Sequence, residues 1–453
     1  WHSAGNDVAQ LEKQLDIFDE EPQKLIDDLV ALKPPTPVKL RSVNNSGYGL
    51  AILQPEDADK GCAAFTYYGR TAGSHPHLDR LSLGIFFRTF VMNPDLGYPE
   101  YTGRWPKRHA WTKHTASHNT VLVNDRQQLP DWSGKTDLFI GGDLARLSII
   151  DGGPVYENVT TYRRATGLID VPDTDSYVVD VFWVRGGSNH RMINNGSGQE
   201  VTHENLALVH QPTGTFAGPD IPFATPLKEP GVLDFAQEYH SENCAAFSYM
   251  YDVYRGNATS DSSWVDWKIV RKDMSVPEDR SPHLRMYSLS EVDEIAITRG
   301  DPPHHRYPDN YLRYVVRSRL GDDLESQFVT VLEPYEPDPF IASAHSLPLD
   351  SHDGEGFAAA VQVELLNGDR DITIIAENPG RITVAGVTLE GQFGFIRLRG
   401  DQVVAARMAR GTSLRYRDFE LTTEYGELSG TLTGFDASDW RDNLLRLSTS
   451  VTP

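Results

Sequence analysis

The chain has 453 residues, of which 42 are Lys or Arg, 64 are Asp or Glu and 39% are hydrophobic, for a formal net charge of −22. That length exceeds one ordinary core and calls for two or three domains or one very large sheet assembly. The acidic balance argues against general nucleic-acid binding, and no apolar run approaches the roughly 18 to 20 residues of a membrane helix, so neither partner is expected.

Trp1 opens the chain, and residues 1–30 lack the positive-then-apolar plan of a signal peptide, which suggests a processed chain or a fragment of a longer one. Val8, Leu11, Leu15, Ile17, Phe18, Leu25, Ile26, Leu29 and Leu32 recur at three-and-four spacing. They predict a short helical segment over 1–33, broken near Pro22. KPPTPVK then reads as an extended linker, because each proline disfavours helix in the residue before it. From Val38 onward short apolar runs such as CAAFTYY, LARLSII, SYVVDVFWV and QFVTVLEPY recur every ten or so residues between Gly, Pro, Asn and Asp. This predicts a mostly β fold: a large multi-sheet antiparallel β-sandwich over 34–345 behind the helical segment. The text between Asp338 and Gly356 has no period and reads as a crossing loop. After it, NGD, NPG and RGD read as hairpin turns of a C-terminal β region over 346–453 that completes the sandwich or is appended to it. Cys62 and Cys244 both lie in apolar settings, where packed thiols and a disulfide are the alternatives. The sequons at Asn44, Asn158, Asn195 and Asn257 matter only in a secretory compartment.

One block, Tyr67 to Asp125, concentrates His75, His77, Asp79, Asp95, His109, His114 and His118 among apolar runs. His75 and His77 flank Pro76; as strand residues two apart they would point the same way and address one site. Asp95 closes the next apolar run and His118 opens HNTVLV. If those strands are neighbours their ends meet, and two imidazoles with a carboxylate make a zinc arrangement. The alternative is that His77 and His118 are ordinary strand-end histidines with hydrogen-bond partners.

Between Arg104 and His114 the chain reads RWPKRHAWTKH, with Arg104, Lys107, Arg108 and Lys113 and no acid. Such a reversal of charge is what an anionic ligand needs to approach an acidic body, although a solvated loop has the same composition. Trp105 and Trp111 within it offer faces for stacking on sugars or bases, or cover a core edge. His190, His203 and His210 sit near strand ends, where they extend the cleft or simply pack, and His304 and His305 read as a solvated loop pair. No Gly-rich phosphate loop, G-x-S-x-G elbow or CxxC pair occurs, which argues against nucleotide enzymes, serine hydrolases of that type and zinc ribbons.

The order SHPHLDRLSL, NPDLGYPEY, RW and TASHNTVLVND resembles the heparinase II/III-like β-sandwich domain of polysaccharide lyases, a group that includes several alginate lyases. SVNNSGYGLAIL looks like the first strands of that sandwich and DSYVVDVFWVRGGSNH like later ones. The resemblance implies that His75 helps neutralise a uronate carboxylate and that His77, Asp95 and His118 hold a structural zinc beside the cleft. It implies that Tyr101 is a proton donor near the leaving group, with Tyr98 as the competing candidate. Arg104, Trp105, Tyr98 and Arg108 are the expected substrate contacts.

The chemistry so implied is β-elimination on an acidic polysaccharide or oligosaccharide. Removal of the weakly acidic C5 proton of a uronate needs its carboxylate neutralised, so a protonated His75 with Arg104 nearby would support the transition state more than the ground state. A tyrosine base, with a pKa of about 10 unperturbed, needs neighbouring positive charge, which the basic run would supply. Complete lyases of this kind place an α/α-toroid ahead of the sandwich, whereas some thirty helical residues precede the linker here. The expectation is therefore the C-terminal part of a secreted or periplasmic lyase, with an upstream helical toroid as domain or partner, or a sandwich reused without full catalytic equipment. Two other functions fit the same residues: a non-catalytic carbohydrate-binding sandwich, and a metal-dependent glycan hydrolase whose ion activates water.

Overall fold

Runs rich in Val, Ile, Phe and Tyr form strands that pair antiparallel throughout. The computed structural model describes residues 41–56, 60–73, 75–88, 90–97, 107–198, 200–225, 245–269, 280–302 and 311–426, the backbone of Thr431–Asp436 and Leu444–Ser448, and the isolated Lys24 and Asp27. Apart from those two residues, the expected helical segment and its linker lie outside the described residues.

Strands β1 (Val43–Asn45), β2 (Leu50–Leu53), β3 (Cys62–Tyr67), β4 (Ser82–Phe87) and β5 (Phe90–Val91) form a five-stranded meander. A sixth strand, β6 (Val121–Val123), pairs with Asn189–Gly196 at the edge of a six-stranded sheet. The centre of the molecule is an eight-stranded sheet, in whose middle Thr161–Asp170 and Ser176–Arg185 pair over their full length. Nine consecutive residues of SYVVDVFWVR are buried, because both faces of this sheet are covered. On one face Val179, Val181, Trp183 and Val331 meet Val361, Ile375, Phe393 and Phe395 of a seven-stranded C-terminal sheet. On the other, Leu168, Val178, Met286 and Leu332 meet Leu83, Ile85 and Phe87 of β4 together with Ile295, Ile297 and Val315 of the six-stranded sheet. Three layers of antiparallel sheet result: a mostly β sandwich with no barrel.

Burial on both faces leaves charge in the core where polar partners meet it: Arg317, fully buried, donates to Asn194 Oδ1 at 3.0 Å and Thr330 Oγ1 at 2.8 Å. Arg164 and Asp180 are both fully buried and pair diagonally across the two adjacent central strands at 2.7 Å. Arg146 likewise reaches Asp170 at 2.8 Å.

Three expectations change. The segment from Asp338 is not wholly a crossing loop: Ile341–Ser346 is already a strand, paired with Ala358–Leu365, so the C-terminal sheet begins before residue 346. NPG at 378–380 is no turn. It lies inside the strand Asp369–Val384, where the register shifts between Ile375 and Gly380; a bulge of this kind accommodates a proline that cannot donate to the ladder. The turn itself falls at Ala385 and Gly386, with φ of 48° and 78°. Finally, His75 and His77 are in a loop between β3 and β4, so strand alternation does not orient them. Cys62 is a buried free thiol, and Cys244 lies outside the described residues.

Candidate metal centre and cleft

Three segments carry the histidine-rich block to one place: the loop between β3 and β4, residues 92–97 after β5, and the short turn Thr115–Ser117 ahead of β6. Polar clamps bind them together. Leu78 N donates to Lys113 O at 3.0 Å and Leu83 N to Asn119 O at 3.1 Å. Buried Arg80 is held through its own backbone by Gln128 and Thr120 and donates from Nη1 to Gly152 O at 2.7 Å. Asn93 Nδ2 donates to Leu83 O at 2.9 Å, and Asn119 Oδ1 accepts from Asn195 N at 2.7 Å. Buried polar groups without these partners would be costly, so the pattern fixes the segments relative to one another.

His77, Asp95 and His118 converge, with one donor atom from each lying within 4.8 Å of the others. His77 Nδ1 is 3.0 Å from His118 Nε2 and 3.4 Å from Asp95 Oδ2, and His118 Nε2 is 2.9 Å from Asp95 Oδ2. A tetrahedral zinc with metal–ligand distances of about 2.0–2.1 Å would place its ligand atoms about 3.3 Å apart, close to this triangle. The supporting bonds suit the same role. His118 Nδ1 lies 2.9 Å from His114 O; a carbonyl only accepts, so Nδ1 carries a proton and Nε2 turns its lone pair toward the triangle. Asp95 Oδ1 accepts from Gly97 N at 2.6 Å, which aims the carboxylate. Beside the triangle, Asp79 Oδ1 is buried with no hydrogen-bond partner. These donors fit a cation in composition and in spacing.

Without an ion, the three groups act on one another. Desolvation would raise the Asp95 carboxyl, but the charge and hydrogen bond of His118, followed by those of His77, hold it well below its usual range. Burial opposes charge on His118, and Asp95 outweighs it and raises the imidazole pKa. Asp79 is raised by burial, with His118 pulling against that and Asp95 adding to it.

The triangle lines a cavity of about 360 Å³ together with the aromatic side chains of Tyr48, Phe65 and Tyr67. Phe65 lies over Gly84, its cross-strand partner, where a Cβ would come within 2.0 Å of the ring.

The other expected site residues divide. His75 is exposed on the same loop but is not part of the triangle. Tyr98, Tyr101, Arg104 and Trp105 lie outside the described residues. Arg108 is half-buried at the start of the helical turn Arg108–Thr112. Its neighbours do not line a basic cleft. Lys107 is buried against Asp301 and Pro302 O, and Lys113 is buried with Nζ donating to Gly73 O at 3.0 Å. Trp111 is fully buried, stacked on Tyr249 and donating to Asp301 O at 2.9 Å. The charges of Lys107 and Lys113 are thus spent on internal partners. Burial, followed by the charges of Lys113 and Arg108, lowers the His109 pKa to about 4, and burial lowers His114 to about 3. His190 is buried with both ring nitrogens bonded, to Ser326 Oγ and Gly186 O at 2.8 Å each. It packs rather than extending the cleft. His203 and His210 are exposed, the latter 3.3 Å from Asp252; His304 and His305 lie outside the described residues.

Sequence reasoning gave no role to Tyr48, Tyr67 or the clamps Arg80, Asn93, Asn119 and Arg164. The spacing His77-x-Asp79 signalled only Asp79.

Fold and site together define a layered β-sandwich with a His–Asp–His centre at one cleft. Residues 35–169 match the model of the family "Heparinase II/III-like, C-terminal", and all three donors fall inside that stretch. Among solved structures it is similar to a heparinase III at 14% identity and TM-score 0.45, covering 80% of this chain and 46% of that one. It is similar to the heparan sulfate lyase HepC from Pedobacter heparinus at 12% identity and TM-score 0.44, covering 81% and 47%. A putative aldose 1-epimerase from Escherichia coli K12 follows at 10% identity and TM-score 0.31, covering 63% of this chain and 99% of that one. The chain thus spans under half the length of the two lyases. No curated protein matches it.

Proposed function

We propose that this chain is the sandwich part of a polysaccharide lyase that cleaves a uronate-containing polysaccharide by β-elimination. The observation that carries this is the domain match over residues 35–169, inside which the three donors meet beside a cleft. In this reading His77, Asp95 and His118 hold a zinc ion. Bound there, it supplies a cross-link between three loops rather than an activated water. His77 lies two residues from His75, so holding His77 limits where His75 can reach. His75, protonated, pairs with the uronate carboxylate and makes the C5 proton more acidic; Tyr101 delivers a proton to the departing 4-linked sugar, with Tyr98 as its competitor. Arg104, Trp105 and Arg108 bind the polymer. The C5 proton leaves to a base, its electron pair forms the C4–C5 double bond, and the C4–O bond breaks. Such polymers are met outside the cytoplasm, where we place the protein, secreted or periplasmic.

The test incubates the chain, and the full product of its gene, with heparan sulfate and alginate and follows ultraviolet absorbance. Only elimination creates the conjugated double bond, so its growth is the expected result, lost in His75→Ala. A flat trace with every uronate polymer from folded, zinc-loaded protein overturns the proposal. Abolition of turnover by chelation at a temperature where the fold persists would instead mark a hydrolytic or catalytic ion.

A further inference from the structure

Just outside the cleft, Trp132 stands 69% exposed, with the Arg70 guanidinium 4.5 Å above its ring. An indole left in water on a mobile tip would need no explanation, but this one has a rigid base. Asp131 O accepts from Thr71 N at 2.9 Å and from Ala72 N at 3.1 Å, and Asp131 N donates to Thr71 Oγ1 at 3.1 Å. Its carboxylate takes a 3.3 Å bond from the buried Arg80, and Gly134 N donates to Tyr68 O at 2.7 Å. Residues 131–134 are therefore pinned to residues 68–72 on both sides of the tryptophan.

The same pinning joins the pair to the cleft. Tyr67, whose ring lines the cavity, donates its hydroxyl to Arg70 O at 2.8 Å. Tyr48, 63% exposed, meets Tyr67 edge-on at 6.0 Å. Trp132, Arg70, Tyr67 and Tyr48 form one aromatic and cationic track that starts on the surface and ends at the cavity wall. Among the described residues no carboxylate pairs with Arg70, although acids outnumber bases in the chain.

We propose that Trp132 and Arg70 form an accessory subsite for an anionic hexose unit of the polysaccharide that occupies the cleft; the identity of that ligand rests on the function proposed above. The C–H face of a pyranose is apolar and packs on an indole, while its carboxylate or sulfate pairs with a guanidinium already held in place by the ring beneath it. Because the backbone on both sides of the indole is pinned, little backbone freedom is lost on binding. A guanidinium with no carboxylate partner among the described residues is also where a polyanion can approach a chain of this charge.

The experiment is calorimetric titration of the full chain with size-defined heparan sulfate and alginate oligosaccharides, for wild type, Trp132→Ala, Trp132→Tyr and Arg70→Gln, with thermal melts as the control for folding. Trp132→Ala is expected to weaken binding about tenfold. Trp132→Tyr should retain most of the affinity, and Arg70→Gln should weaken binding and flatten its salt dependence. Unchanged affinity in folded Trp132→Ala overturns the subsite, even if ultraviolet absorbance shows that elimination proceeds. Loss of affinity in Trp132→Ala without any elimination supports the subsite and sinks the lyase. Wild-type protein that binds neither oligosaccharide overturns both.

Discussion

Arg164 and Asp180 meet on the two central strands through hydrogen bonds of 2.7 and 2.8 Å, and the same guanidinium donates from Nη1 to Leu81 O and Asn119 O at 2.6 Å each. Leu81 lies two residues beyond Asp79, and Asn119 directly follows His118. An ion pair inside the central sheet is therefore also the anchor for two of the segments that build the candidate metal centre.

Removing one partner from that pair leaves the other charge buried. Asp180→Ala should lower stability by about 3–5 kcal/mol, measured by denaturant unfolding. Arg164→Met strands Asp180 in the same way and also removes the donor to Leu81 O and Asn119 O, so it should cost at least as much as Asp180→Ala and in addition weaken zinc binding. Equal zinc affinity in Arg164→Met and wild type would show that the two carbonyls hold position without the guanidinium.

Zinc itself should be detectable by elemental analysis at about one ion per chain, because a His–Asp–His set with spacing of this kind matches a tetrahedral ion. Chelation should lower the melting temperature of wild type and leave His118→Ala unmoved, since binding free energy at a site absent from the unfolded chain is folding free energy. A chelator-induced drop of the same size in both proteins would count against these ligands.

Glu333 should make stability depend on pH. Burial raises its carboxyl from 4.5 to about 7, while Phe340 N and Ile341 N donate to Oε1 at 2.6 and 2.7 Å where the chain crosses into the C-terminal sheet. The native state then holds a proton that the unfolded chain has already lost, so the contribution is fully present below pH 4.5 and fades as pH rises to about 7. Summed over that window the loss is about 3 kcal/mol. Glu333→Gln keeps an acceptor and cannot ionise; the difference between its stability and that of wild type, followed by unfolding across pH, should grow over that range. A constant difference would refute the assignment.

Gly84→Ala tests the cavity wall. A Cβ there would meet the Phe65 ring at 2.0 Å, so the ring must leave its place over the glycine. The expected cost is about 1–3 kcal/mol, with weaker binding of acidic oligosaccharides in the cleft. An unshifted melting temperature would mean that Phe65 has another seat.

The strands were legible because short apolar runs recur between Gly, Pro, Asn and Asp; SYVVDVFWV is one of them, and the structure shows that both its faces are covered. His77, Asp95 and His118 were legible as chemistry, by residue type within one block. The directions of neighbouring side chains were not. Nothing local distinguishes Lys107 from a solvated lysine, because its partner Asp301 lies on the other side of the chain's many crossings. Asn378-Pro379-Gly380 has the composition of a turn, and only pairing with its neighbour strand turns it into a bulge.

By itself, then, the sequence determined what is set by local chemistry: a β fold from apolar periodicity, and a set of metal-type donors from imidazole and carboxylate. Tertiary structure alone decided what depends on contacts between distant segments. It buried Lys107, Lys113 and Trp111 against internal partners, and it exposed Trp132 on a base pinned by Thr71 and Arg80. It also drew three loops into one triangle by anchoring two of them on a guanidinium in the core. The physical reason is that a desolvated polar group must find a partner wherever the fold places one, and no window of neighbouring residues contains that information.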